Sequence, residues 1–333
     1  MPSPILISAT DESLPRDIPG GLARYAGFRD MARGGGGVLR SAVDQVTGRT
    51  VAIKTLDRTQ MWDRAHRRRF LREARVTAQL QHPNTVPVYD VGDDDKEGLF
   101  FTMKRISGEN LFQILVRIAR GDSETASAFP LTRRIDILAD ACQALAYAHV
   151  RGVIHRDVKP ENIWVGNFGE VILLDWGAAK VWGHADDNVP LKDSNTHTPA
   201  KVPSGKSIET LSDANSQLRT LTSGGQRPGT PLYMSPEQVS GKRTLDERSD
   251  VFSAGVCLYE AMAIREPFRG QDIDATFHNI RTMTPEPPSV RNPDAGIPTA
   301  MDDIVMRAIA KDPRDRYQHV RQFIADIRAA NGS

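Results

Sequence analysis

The spacing of apolar side chains divides the chain into a strand-rich N-terminal part and a longer helix-rich part. Within residues 25–103, short runs of strand-forming residues occur at 51–54 and 99–103, and 43–48 has the composition of a hairpin link. Between them, the apolar residues of 64–79 recur at helical spacing. This half of the pattern therefore predicts strands interrupted by one main helix.

The periodicity then becomes helical. The apolar positions from Ile135 to Leu145 step by three, four and three residues, which predicts an amphipathic helix. A turn containing Gly166 and Gly169 separates two apolar runs and predicts a short hairpin over 163–174. Further helices are predicted at 251–263, 301–310 and 321–330.

Two polar stretches fall outside this pattern. Residues 1–20 are polar and proline-rich, and we expect them to form a loosely ordered tail. Residues 184–228 consist mostly of Ser, Thr, Asp, Gly, Pro and Lys. A loop of this length inside a compact domain is either disordered or functional. A solvated, passive insertion is the simpler interpretation for most of it.

Composition excludes several classes of protein. The 333 residues carry 43 basic and 42 acidic side chains, and this net charge of +1 argues against a general nucleic-acid binder. Two cysteines, Cys142 and Cys257, cannot build a disulfide framework or a cysteine-rich zinc site. The best apolar run, 255–264, is about half of the roughly 20 residues that span a membrane. We therefore expect a cytoplasmic protein without a membrane span.

Four glycines, Gly34 to Gly37, precede the predicted strand at 51–54. Glycines let backbone N–H groups approach phosphate oxygens closely, although such a run is also common in flexible turns. The chain has no Walker-type P-loop motif. A dinucleotide fold is disfavoured, because a strand rather than a helix is predicted to follow the glycines.

A second polar segment, HRDVKPEN at 155–162, brings Asp157 and Asn162 within five residues. The carboxylate can orient a hydroxyl and accept its proton, and the amide oxygen can bind Mg²⁺. Asp175 ends an apolar strand and is followed by Trp176 and a glycine. That position suits a metal ligand, and in isolation it equally suits a turn.

Together these segments resemble the protein kinase signature set, in its order along the chain. Its elements appear here as GGGG with VAIK, HRDVKPEN, DWG and SPE. The resemblance covers about 25–329 and is closest to bacterial eukaryotic-like (Hanks-type) serine/threonine kinases. It implies an α+β bilobal fold, with a small antiparallel-sheet N-lobe carrying one main helix and a larger, mostly helical C-lobe.

The resemblance also implies a division of the chain. Residues 21–333 would form the kinase domain, with the N-lobe at about 21–105 and the C-lobe at about 106–330. The polar stretch at 184–228 would enlarge the activation segment. In similar kinases this segment is autophosphorylated, which here favours Thr222, with Thr220 second.

The resemblance assigns catalytic roles to Lys54, Glu73, Asp157 and Lys159. Lys54 would bind ATP phosphates and pair with Glu73, whose alternative is a surface pair with a nearby arginine. Asp157 would be the base and Lys159 would steady the transferring phosphate. The implied ATP contacts are Gly34, Gly35, Gly36, Gly37, Leu39, Ala52, Lys54, Met103 and Ile106. The implied Mg²⁺ ligands are Asn162 and Asp175.

Supporting roles and departures follow from the same resemblance. Asp250 would brace the catalytic loop, and Arg316 would pair with Glu237. Trp176 replaces the usual phenylalanine, which requires a wider pocket. The basic run at 66–69 is interpreted as a solvated helix face in preference to a phosphate or partner dock.

Three functions are to be distinguished for a chain with these motifs. An active serine/threonine kinase would need ATP, Mg²⁺ and protein substrates, and transient self-association would allow autophosphorylation in trans. A pseudokinase scaffold is disfavoured because Lys54, Asp157 and Asp175 are all present. A small-molecule phosphotransferase is disfavoured by GTPLYMSPEQ at 229–238, which resembles a peptide-binding platform. Lys159 and Thr230 favour serine and threonine over tyrosine.

Overall fold

A computed structural model describes residues 19–34, 37–181, 231–242 and 244–332. Most of the predicted tail, Gly35, Gly36 and the predicted insert at 184–228 lie outside the described residues. So do Thr220, Thr222 and Thr230. No helix within the described ranges combines the length and the apolar character needed to cross a membrane.

Five antiparallel strands form the N-terminal sheet, in the order β1-β2-β3-β5-β4. They are β1 Tyr25–Gly34, β2 Gly37–Asp44, β3 Thr50–Thr55, β4 Val88–Asp94 and β5 Gly98–Lys104. The helix α1, Arg64–Gln79, begins where the Asp63 carboxylate accepts the Ala65 N–H, and it packs on the sheet through Phe70 and Ala74. The predicted strands and main helix are confirmed.

The remainder is mostly helical. Its helices are α2 Leu111–Ala119, α3 Ser123–Ala128, α4 Leu131–Val150, α5 Pro236–Val239, α6 Arg248–Ala263, α7 Ile273–Thr282, α8 Pro288–Arg291, α9 Thr299–Ala308 and α10 Val320–Asn331. From Ser249 to Ala263, α6 is buried along its whole length, with α4 and α9 packed against it. The main apolar core therefore lies around α6.

Short strands carry the loops that matter for function. The strands β6 Glu109–Asn110, β8 Ile163–Val165 and β9 Val171–Leu173 form one small sheet. The other pair is β7 Val153–Ile154 with β10 Lys180–Val181. The predicted hairpin at 163–174 is confirmed as β8 and β9, with Leu174 just past the end of β9.

Candidate active site

Lys54 lies on the central strand β3, with Leu39 of β2 and Phe101 of β5 as its cross-strand neighbours. Its Nζ donates to Glu73 Oε1 of α1 at 2.5 Å. Burial lowers the pKa of Lys54, but the carboxylates of Glu73 and Asp175 outweigh burial and raise it. The predicted Lys54–Glu73 pair is formed, so Glu73 is not a surface partner of the neighbouring arginines.

Asp157 follows β7 in an irregular loop. Its Oδ2 accepts hydrogen bonds from Lys159 Nζ at 2.7 Å and from Asn162 Nδ2 at 3.3 Å. The other oxygen, Oδ1, accepts no hydrogen bond from the described residues. One carboxylate oxygen is therefore held in place, and the second is available to a hydroxyl.

Asp175 follows β9 in a left-handed backbone conformation, with φ of 63°. Its Oδ1 accepts the Gly177 N–H at 3.3 Å. Burial raises the pKa of Asp175, but the positive charges of Lys54 and Lys159 help to outweigh it, and the pKa stays below its usual value. The carboxylate is therefore ionised at neutral pH.

The donor set fits a hard divalent cation. Asn162 uses its Nδ2 to donate to the Asp157 carbonyl at 2.8 Å, and this bond leaves its amide oxygen without a hydrogen bond inside the described structure. That oxygen and the ionised Asp175 carboxylate are the ligand types that Mg²⁺ prefers. The two predicted metal ligands therefore have suitable chemistry.

The loop that carries Asp157 is held in place by a side chain of α6. The fully buried Asp250 accepts the backbone N–H groups of His155 and Arg156, each at 2.8 Å. Arg156 has a φ of 70°, which is unusual for a non-glycine residue. The predicted bracing role of Asp250 is confirmed.

His149 completes this network. Its Nε2 lies 2.8 Å from Asp250 Oδ2, and its Nδ1 lies 3.2 Å from Glu247 Oε2. Burial lowers the pKa of His149, but the hydrogen bond to Asp250 and the charges of Asp250 and Glu247 outweigh it and raise the pKa to about 9. No local sequence signal marks this role, because Glu247 and Asp250 lie at the start of α6, far from His149 along the chain.

Trp176 is fully buried and therefore fits the pocket that the substitution for phenylalanine requires. Its ring centroid lies 4.5 Å from that of His155, at an interplanar angle of 60°. His155 Nε2 lies 3.0 Å from the Leu174 carbonyl oxygen. The loops carrying Asp157 and Asp175 are thereby packed together.

Six of the predicted nucleotide contacts lie on β1, β2, β3 and β5, namely Gly34, Gly37, Leu39, Ala52, Lys54 and Met103. Gly34 and Gly37 are cross-strand partners, and Ala52 is the partner of Met103. Gly37 has φ of 128°, and a Cβ there would lie 2.0 Å from the Thr55 carbonyl oxygen. The glycine is therefore required by the close approach of β3, a reason that the sequence did not reveal.

The end of β5 and the connection after it carry Met103 and the remaining described contact, Ile106. Met103 and Ile106 are half-buried. The Lys104 N–H donates to the Pro87 carbonyl at 3.0 Å. That N–H is therefore already bonded, and it is not one of the main-chain groups that can contact a base.

A second ion pair joins α5 to the segment between α9 and α10. Arg316 Nη1 and Nη2 donate to Glu237 Oε1 and Oε2 at 2.8 and 2.9 Å, with both side chains buried. Arg314 is exposed and pairs with Asp312 at the surface. The predicted pairing of Arg316 with Glu237 is confirmed.

The family model described as a protein kinase domain matches residues 25–326. The chain belongs to the protein kinase family. The predicted bilobal kinase fold, with its sheet-based N-lobe and helical C-lobe, is thereby confirmed.

Curated kinases of the same kind resemble this one. Serine/threonine-protein kinase PknD of Chlamydia caviae is 33% identical over 312 residues, which is 92% of this chain and 31% of the relative. PknD of Protochlamydia amoebophila is 30% identical over 310 residues, which is 91% of this chain and 29% of the relative. The chain thus spans about a third of the length of these relatives. The expected resemblance to bacterial Hanks-type serine/threonine kinases is confirmed.

Proposed function

We propose that this chain is a serine/threonine protein kinase that transfers the γ-phosphoryl group of ATP to protein hydroxyls. The observation that carries the proposal is Asp157, with one carboxylate oxygen held by Lys159 and the other free, on a loop fixed by Asp250. A complete set of motif side chains around it makes catalysis a better fit than a scaffold role. The relatives' names support the choice of serine and threonine.

In the proposed reaction, the free oxygen of Asp157 orients the substrate hydroxyl and accepts its proton as the hydroxyl attacks. Lys159 neutralises charge on the transferring group, and Lys54, held by Glu73, positions the ATP phosphates. Asn162 and Asp175 would hold Mg²⁺, which supplies charge stabilisation to the phosphates when bound. The protein's own contribution is positioning and electrostatics.

The nucleotide would lie between the glycine run and the strands that follow it. Gly34, Gly35, Gly36 and Gly37 would approach the phosphates, and Leu39, Ala52, Met103 and Ile106 would surround the base. Autophosphorylation at Thr222 or Thr220, transient self-association and a cytoplasmic location belong to the same proposal. The residues from 21 to 333 would be the kinase domain.

The decisive experiment compares Asp157→Asn with Asp303→Asn, an exposed aspartate on α9, in a Mg²⁺–ATP assay on a generic protein substrate. Loss of a general base typically lowers the rate by about 10²–10⁴-fold, and we expect that loss only at position 157. Full activity of Asp157→Asn would contradict the proposal. Phosphoamino-acid analysis of the products is expected to give phosphoserine and phosphothreonine, and dominant phosphotyrosine would contradict the hydroxyl assignment.

A further inference from the structure

The helix α1 carries a row of arginines on the side turned away from its packed face. Arg64, Arg68 and Arg75, hereafter the arginine row, are all exposed. At 3.6 residues per turn they lie within about 40° of one another around the helix axis and span about 16 Å along it. Phe70 and Ala74, which pack against the sheet, are on the other side of the helix.

The arginine row has no acidic partner among the described residues. Two acidic side chains that contact this helix are otherwise engaged, because Asp63 caps the helix and pairs with His66, and Asp93 pairs with Arg67. Like charges four residues apart repel each other on a helix. The row therefore weakens the helix that carries it, and no acidic group within the described ranges offsets its positive charge.

We propose that the arginine row docks an acidic segment of a partner protein. Guanidinium groups match carboxylates in geometry and bind them with paired hydrogen bonds. The length of the row corresponds to about three turns of an acidic helix or about five residues of an extended strand. Trp62, 86% exposed and immediately before the capping residue, adds an aromatic surface close to the start of the row.

Nucleic acid is a poorer occupant on the same observations. The net charge of +1 gives the chain little general attraction for a polyanion. A row of three charges on one helix covers only a short segment, which suits a local acidic motif better than a long phosphate backbone.

The test measures binding of a fluorescein-labelled peptide of twelve glutamates to the full chain by fluorescence anisotropy at low salt. The Arg64→Gln/Arg68→Gln/Arg75→Gln variant is compared with Arg120→Gln/Arg281→Gln/Arg321→Gln, which removes the same charge at exposed sites elsewhere. We expect about a tenfold rise in Kd for the first variant only, since it loses three exposed ion pairs. Binding should also weaken as salt approaches 0.15 M, where the Debye length is about 8 Å.

Three results would overturn the proposal. They are an equal Kd for the two triple variants, no saturable binding by the unmodified chain, and tighter binding of a single-stranded oligonucleotide of equal charge than of the peptide. Binding is also measured with Asp157→Asn, whose Kd is expected to match that of the unmodified chain. Docking and catalysis can therefore fail independently of each other.

Discussion

The ion pairs Arg316–Glu237 and Lys54–Glu73 lie in different parts of the molecule. They differ in how completely the positive partner offsets the charge of the glutamate. Glu237 of α5 meets Arg316 through both carboxylate oxygens, and Ser249 Oγ donates to one of them at 2.7 Å. Glu73 of α1 meets Lys54 through a single contact, and both side chains remain partly exposed.

The electrostatic balance of the two glutamates is opposite. Burial raises the pKa of Glu237, but hydrogen bonding and charge from Arg316 outweigh it and lower that pKa. At Glu73, burial and the nearby Asp175 carboxylate outweigh Lys54, and the pKa is raised. Arg316 therefore fully offsets the negative charge of Glu237. At Glu73 the positive charge of Lys54 does not fully offset burial and the nearby Asp175 carboxylate.

The largest expected effect is on folding. Arg316→Met leaves the Glu237 carboxylate buried without its partner, which should lower the free energy of unfolding by about 3–5 kcal/mol. Urea denaturation measures this loss. The double variant Arg316→Met/Glu237→Met should recover much of it, because no unpaired charge remains buried. A double variant as unstable as the single one would show that packing, and not charge, dominates this site.

Lys54→Met should behave in the opposite way. It removes a group that positions phosphates, and loss of one such stabilising group lowers turnover by about 10²–10³-fold. The melting temperature should change little, because the side chain is partly exposed and its pair is incomplete. Kinase assays and thermal melts on the same preparation separate the two effects. If the Lys54→Met variant were unfolded, the Lys54–Glu73 pair would mainly stabilise the fold, and the prediction would be wrong.

The buried contact between His149 and Asp250 is a further pair in which opposite charges compensate each other. The pKa of His149 is raised to about 9, so the stability it contributes is fully present below pH 6.5 and is lost as pH rises through 9. The free-energy difference between the chain and His149→Gln should therefore shrink by about 2–3 kcal/mol from pH 6.5 to 9.5.

The comparison with His149→Gln is needed because a second group titrates in the same range. Burial lowers the pKa of Lys311 to about 8, so its contribution changes with pH in the opposite direction. Both proteins contain Lys311, and its effect cancels in their difference. A difference that stays constant with pH would mean that His149 is neutral in the folded chain.

The smallest expected effect is the change in the free energy of unfolding caused by Glu73→Gln. Because the pKa of Glu73 is already raised, Glu73→Gln should change the free energy of unfolding by less than about 1 kcal/mol. Glu237→Gln is the matched control and should cost about 3–5 kcal/mol, since it leaves Arg316 buried and unpaired. Equal losses in the two variants would remove the distinction between the pairs.

The sequence predicted the groups that carry chemistry better than the contacts that hold them. Lys54, Asp157 and Asp175 stand in short motifs whose residue types and order identify them. The hold of α6 on the catalytic loop was expected only through the family resemblance, and the part played by His149 was missed. Spacing cannot reveal such a contact, because the charges come together only after α4 and α6 have packed.

The reason for Gly37 was likewise hidden. A glycine run indicates backbone freedom, but it does not say which neighbour would collide with a side chain. That neighbour is a carbonyl oxygen of β3, and its position depends on the register of the folded sheet.

The two hydrogen bonds that Asp250 accepts also affect which substitutions the catalytic loop can tolerate in evolution. They hold main-chain amides, which every residue type except proline supplies. Replacing the side chain of His155 or Arg156 leaves this tether in place, whereas replacing Asp250, 95 residues beyond His155, removes both bonds at once. Part of what fixes the path of the loop is therefore encoded by a residue that lies outside it.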